Sequence, residues 1–299
     1  MIAPIWQRIG IALGVLLGSF CWLGVLPSLK SATGTQGIVL LDAPMGVMAC
    51  LLVMAAAVPI LVLSTVLCAV GRFTTGVSVF AGSLLVLAYT GGSTMGWLQR
   101  VDLPGAYWQL ITEMLLWQVM LLGAIALIYQ FRPAVHRQLP ALIRRNSQWK
   151  TVLKKPGVNE LIAAVISCVI ALIMSYLLIQ NASINQILCS LVFSFALGAG
   201  IGQTLMPNTN PVAIFMSPCV VAIAAYLLVL FRYEDQLLVV QALFYGSEPG
   251  GAITAQFPGP ALALPIHYAS AGLLGCCIGI GIVRAAADES DEMNAVSDV

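Results

Sequence analysis

The sequence predicts an all-α bundle of about eight membrane-spanning helices with both termini in the cytoplasm, and three observations carry that prediction. Of its 299 residues, 60% are hydrophobic and 8% are charged, against about 25% charged in soluble domains. So few charges cannot solvate the exterior of a water-soluble protein, whereas a lipid exterior requires none. The apolar residues also gather into runs of about 20, the length that crosses a ~30 Å hydrocarbon layer at ~1.5 Å per residue. Finally, the cationic residues cluster between those runs on one side of the membrane. In lipid an open chain satisfies its backbone only as helices.

The first window, 9–27, follows Arg8 and resembles a secretion signal. It is longer than a signal's apolar region of about 7–15 residues, and no small-residue cleavage site follows, so it is read as the first span. Windows 45–70, 76–98 and 107–131 complete a four-span N-terminal half, 1–131. A basic connection, 132–157, leads to a second half, 158–285, with windows 158–179, 185–205, 211–231 and 260–284. The sixth and seventh are divided by Pro207-Asn208-Thr209-Asn210-Pro211, a tight-turn signal. The tail, 286–299, carries Asp288, Glu289, Asp291, Glu292 and Asp298, and its composition reads as disordered.

Orientation follows from lysine and arginine. The 132–157 connection holds Arg132, Arg137, Arg144, Arg145, Lys150, Lys154 and Lys155. Placing it inside also puts Arg8, Arg72 and Arg284 inside, and leaves Lys30, Arg100 and Arg232 outside. An odd number of spans would put Arg8 or the tail on the wrong side. Both halves start inside, so any duplication would be parallel; no residue-level repeat is visible. The expected location is the cell membrane.

Two connections are more than tethers. In 140–155, Leu142, Trp149, Val152 and Leu153 share a helical face, with Arg144, Arg145, Lys154 and Lys155 on the remainder. That pattern fits a short helix lying on anionic lipid headgroups, or a solvated loop that only fixes topology. The 232–259 connection contains Leu237-Leu238-Val239-Val240 and Ala242-Leu243-Phe244, too short to span, and then turns glycine- and proline-rich; a re-entrant or interfacial segment is expected. Asn181-Ala182-Ser183 matches a glycosylation sequon, but lies against the membrane.

The eight cysteines all lie in apolar stretches without a C-x-x-C pair and read as small reduced hydrophobes. Small-residue stripes at helical spacing (Gly10, Gly14 and Gly18; Gly198 and Gly202; Ala271, Gly275 and Gly279) let backbones approach closely. They serve packing within the chain, or an interface with a homo- or hetero-oligomeric partner.

Glu113 is the one acidic residue well inside a predicted span, six residues beyond Tyr107 and so about 9 Å along the helix. Gln109 is its i,i+4 neighbour on the same face. A carboxyl at that depth is costly and faces the bundle interior or water; it is either a proton or cation site or a neutral, hydrogen-bonded group near the interface. His267 lies toward the same outer side and is a candidate relay partner or an interfacial histidine beside Tyr268. Tyr89-Thr90-Gly91-Gly92-Ser93-Thr94 interrupts the third window, and Thr90 and Ser93 would line a vestibule or bond back to their own helix. Gln203, Asn208 and Asn210 would line a polar cavity at a broken helix or belong to a plain hairpin.

No metal motif, phosphate loop or nucleophile elbow is present, so no catalytic role, cofactor or metal is expected. The basic connection is accounted for by topology, which leaves nothing to indicate nucleic-acid binding. The expectation is a small-solute or ion transporter or channel; the alternative is a non-catalytic membrane subunit or scaffold that binds other chains or lipids.

Overall fold

The computed structural model describes residues 2–29, 38–43, 47–70, 73–92, 94–98, 105–138, 157–207, 209–232 and 258–297. Among them there is no strand. The helices are α1 (Ile2–Leu29), α2 (Val47–Val70), α3 (Phe73–Thr90), α4 (Thr94–Leu98), α5 (Ala106–Gln138), α6 (Val158–Leu178), α7 (Ile184–Leu205) and α8 (Ser217–Arg232). A short α9 (Pro265–His267), a π turn (Tyr268–Gly272) and α10 (Leu273–Ser297) then run on without a break.

Seven helical segments are long and apolar enough to cross a membrane: Ile9–Leu29, Met48–Cys68, Ala106–Phe131, Val158–Leu178, Ile184–Leu205, Ile214–Arg232 and Pro265–Ala287. They mark an integral membrane protein. Parts of α1 and α6 show a burial pattern opposite to that of a helix in a soluble bundle. On α1 the large residues Leu13, Leu16, Leu17 and Phe20 are exposed, while Gly14 and Gly18 are buried. On α6 the buried residues are Ala163, Ser167, Ala171 and Ser175, with Leu161, Val165, Val169 and Ile173 outside. On these two faces small residues meet neighbouring helices, because lipid offers no hydrophobic drive between helices and close packing must hold them.

The third predicted window differs from a single span. α3 stops at Thr90 and α4 begins at Thr94, leaving Thr74–Thr90 as a shorter apolar helix. The cause is local: Gly92 has φ 81°, a left-handed conformation that glycine alone adopts freely. Gly92→Ala is therefore expected to lower stability by about 1 kcal/mol, read as a lower unfolding midpoint in detergent. The seventh window also starts late, because Pro211 and a 3₁₀ turn (Ile214–Met216) precede α8. At the other end of the chain, α10 continues as helix to Ser297 and takes in most of the acidic segment that composition reads as disordered.

In the first half, α1 packs on α2 and α3, and α2 packs on α5. In the second, α6 packs on α7 and α8, and α7 packs on α10. The halves meet where α5 lies on α8 and where α10 lies on α3. All three predicted small-residue stripes are used inside the chain. A Cβ at Gly18 would meet Ser83 of α3, at Gly198 the Ser167 carbonyl of α6, and at Gly275 the Val192 carbonyl of α7. The cysteines are free thiols, with Cys68, Cys219, Cys276 and Cys277 buried.

Candidate functional site

α5 buries Tyr107, Leu110, Met114, Trp117 and Leu121, while Trp108, Leu115 and Val119 are exposed. Glu113 lies on the buried side, with 0% exposure. One turn on, the Trp117 indole N–H donates to Glu113 Oε1 at 3.1 Å. Gln109, one turn earlier, is only half-buried.

Across the α5–α8 contact, Tyr226 is fully buried and lies in the neighbourhood of Glu113. Its ring lies 5.9 Å from that of Tyr107 and 6.3 Å from that of Tyr268, the latter at 88°. Tyr268 in turn meets Phe195 edge-on at 6.2 Å. Edge-to-face pairs of this kind favour a fixed mutual orientation. The carboxyl thus lies beside Trp117 and near Tyr226, at one end of a chain of aromatic rings that runs on through Tyr268 to Phe195.

Above this cluster lies an irregular segment, Pro258–Leu264, that is buried throughout. Buried carbonyls need partners, and side chains supply them. The Tyr226 hydroxyl donates to the Ala263 carbonyl at 2.7 Å, and the Tyr268 hydroxyl donates to Pro260 at 2.8 Å. The Thr94 hydroxyl donates to the Leu262 carbonyl.

His267 is also fully buried. Its Nδ1 accepts the Leu264 N–H at 3.0 Å. An acceptor nitrogen carries no proton, so in the neutral ring the proton sits on Nε2. Nε2 makes no well-formed hydrogen bond, and the ring lies near the backbone of Ala88 and Gly92 at the α3–α4 break. His267→Phe keeps the ring but strands the Leu264 N–H, and is expected to cost about 1–2 kcal/mol, read as a lower unfolding midpoint than that of His267→Asn.

The remaining predicted residues take separate neighbours. Glu113 and His267 have different partners. Thr90 donates back to Val86 at 2.7 Å and Leu87 at 3.3 Å within α3. Gln203 is buried at the far end of α7, where its amide donates to the Pro207 carbonyl at 2.8 Å and the Met206 carbonyl at 3.3 Å, satisfying a helix end. Asn210 Oδ1 accepts the Val212 N–H at 3.1 Å, an Asx turn. Arg284 donates to Thr209 at 3.4 Å and ties this turn to α10. Beside it a cleft of about 420 Å³ is lined by Gly157, Val158, Asn159, Glu160, Met206, Pro207 and Thr209. Ser93 and Asn208, and the headgroup candidates Arg144, Arg145, Lys154 and Lys155, lie outside the described residues.

Sequence reasoning missed Tyr226, Tyr268, Tyr107, Trp117 and Thr94 as parts of this cluster. For Tyr226 a signal exists. Ala222-Ile223-Ala224-Ala225-Tyr226-Leu227-Leu228-Val229-Leu230 has one polar atom in an otherwise apolar run, and a buried phenol needs a partner. The chain matches no family model, and neither a curated protein nor a solved structure matches it.

Proposed function

We propose that the protein is a small-solute transporter of the cell membrane whose cycle moves a proton through Glu113. The observation that supports this best is the placement of that carboxyl: fully buried, near Tyr226, on a helix that packs across the contact between the two halves. An ionisable group held at membrane depth is costly, and such groups characteristically mark ion and proton pathways. The revised path runs through Glu113, Tyr107, Tyr226, Tyr268 and His267; Thr90 and Gln203 leave it.

In this reading α3 and α4 together make the eighth crossing. α3 has 18 residues, about 27 Å at ~1.5 Å each, and α4 continues beyond the Gly92 break. Eight crossings put both termini on one side, the cytoplasmic side by the positive-inside rule. The packing pattern favours two parallel four-helix repeats: α1, α2, α3 and α5 correspond to α6, α7, α8 and α10, and the α5–α8 contact corresponds to the α10–α3 contact. Transport sites in repeat proteins lie between such halves, where Glu113 sits.

The test is the purified chain in liposomes holding a pH-sensitive dye, offered neutral and charged small solutes across an imposed pH gradient. Solute-dependent proton movement is expected. A gradient that no solute class disturbs would favour the second reading, a non-catalytic membrane subunit. That reading draws on Thr90 and Gln203, whose polar atoms bond to their own chain instead of converging on a path.

A further inference from the structure

Pro258–Leu264 combines three properties. It is irregular backbone, with a 3₁₀ turn at Gly259–Leu262, beside membrane-spanning helices, where such backbone is tolerated only inside protein or along a water-filled cavity. It is seated without slack at one end, since a Cβ at Gly259 would lie 1.8 Å from the Ile179 carbonyl at the end of α6. Its outward carbonyls at Pro260, Leu262 and Ala263 are each held by a side-chain hydroxyl from a different element: Tyr268 of the π turn, Thr94 of α4 and Tyr226 of α8.

The three hydroxyls set the chemistry of the site. They converge from separate helices on one short segment, and their donors would be stranded if that segment left. Each stranded donor costs about 1–3 kcal/mol, so whatever replaces the segment must bring acceptor oxygens. No charged side chain takes part in the three clamps, so the replacement needs no charge. The rings of Tyr226 and Tyr268 add flat apolar faces beneath the hydroxyls. A hinge is in place directly behind: the π turn Tyr268–Gly272 is an under-wound register of the kind found at functional sites. Its return to α-helix would rotate everything before it.

We propose that Pro258–Leu264 is a strap occupying the solute site, and that its carbonyls hold the places of the acceptor oxygens of a neutral, oxygen-bearing solute. This rests on the transport reading, and it names the solute class and the element that must move. Tyr226, Tyr268 and Thr94 are then solute-binding residues, and His267, which bonds the strap's last N–H, is a positioning residue.

Hydrogen–deuterium exchange on the full chain in nanodiscs tests this, with glycerol, glucose and acetamide as neutral probes and glutamate and choline as charged ones. At least one neutral probe is expected to speed exchange of the 259–264 amides together, by about tenfold or more, while α7 amides stay unchanged. The Tyr226→Phe/Tyr268→Phe variant is expected to show faster strap exchange without solute and a weaker response to it. Strap amides that ignore every neutral probe, or that respond to the charged ones instead, would overturn the proposal. The two readings fail separately. A strap displaced by solute without proton movement removes the proton coupling alone. Proton movement with a silent strap removes the strap alone.

Discussion

Gly279→Leu is expected to leave little folded protein. A Cβ at Gly279 would fall 2.1 Å from the Ala196 carbonyl and 2.9 Å from the Gly200 nitrogen of α7. Both are backbone atoms, so no side-chain rotation relieves the clash and the two helices must separate. α10 also packs on α3, so its displacement opens the contact between the halves as well. Overpacking a rigid contact costs about 1–3 kcal/mol and occasionally more; two opposed backbones place this case at the upper end, about 3 kcal/mol or above. Size-exclusion profile and unfolding midpoint in detergent read the result. Gly281→Ala, two residues on, is the matched control. Nothing lies within 4 Å of its Cβ, and alanine gains up to about 1 kcal/mol of helix propensity, so its midpoint should hold or rise. A Gly279→Leu protein that melts with the wild type would refute the backbone contact between α7 and α10.

How much of this was legible in the sequence depends on the range of the interaction. Apolar runs report on lipid wherever they end up, so seven of the eight windows reappear as spans. The break in the third was visible too, because Gly91-Gly92 acts locally. Small residues four apart announced close packing, but the partner could not be read. Gly198 meets Ser167 and Gly275 meets Val192, pairings that no periodicity encodes. The Ala163-Ser167-Ala171-Ser175 stripe of α6 carries no glycine and passed unnoticed, although it receives Gly198 and Gly202. Gln203 looked like a cavity residue because a polar group among glycines attracts that reading; the open carbonyls after α7 are what it serves.

Pro258–Leu264 marks where sequence reasoning fails. The sequence reads Pro258-Gly259 as the end of a re-entrant or interfacial connection and 260 as the start of the last span, whereas the segment is irregular backbone with a 3₁₀ turn. Burial becomes affordable only through hydroxyls that lie 168, 37 and 8 residues away. The same holds for Glu113. Its depth in a span was plain, whereas its nearness to Tyr226 of α8 is a long-range contact. The residues that carry the proposed chemistry are therefore a local signal set among long-range contacts.

Glu113→Gln separates the proton role of that carboxyl from its structural one. The glutamine Oε1 can still accept the Trp117 indole N–H, now 3.1 Å from Glu113 Oε1, and its volume is nearly that of the acid. Stability should stay within about 0.5 kcal/mol of wild type, as for substitutions that break no packing or buried bond. The amide cannot exchange a proton, so solute-driven proton movement in liposomes should fall to that of empty vesicles. Glu113→Leu removes the acceptor as well and strands the Trp117 N–H in the interior, a cost of about 1–3 kcal/mol that should appear as a lower unfolding midpoint. Reading the two variants together keeps loss of fold from passing for loss of function. Glutamine defective in proton movement but stable, with leucine defective in both, assigns the proton to Glu113. A glutamine variant that still couples solute to proton removes the carboxyl from the path, because no other exchangeable proton remains at that position.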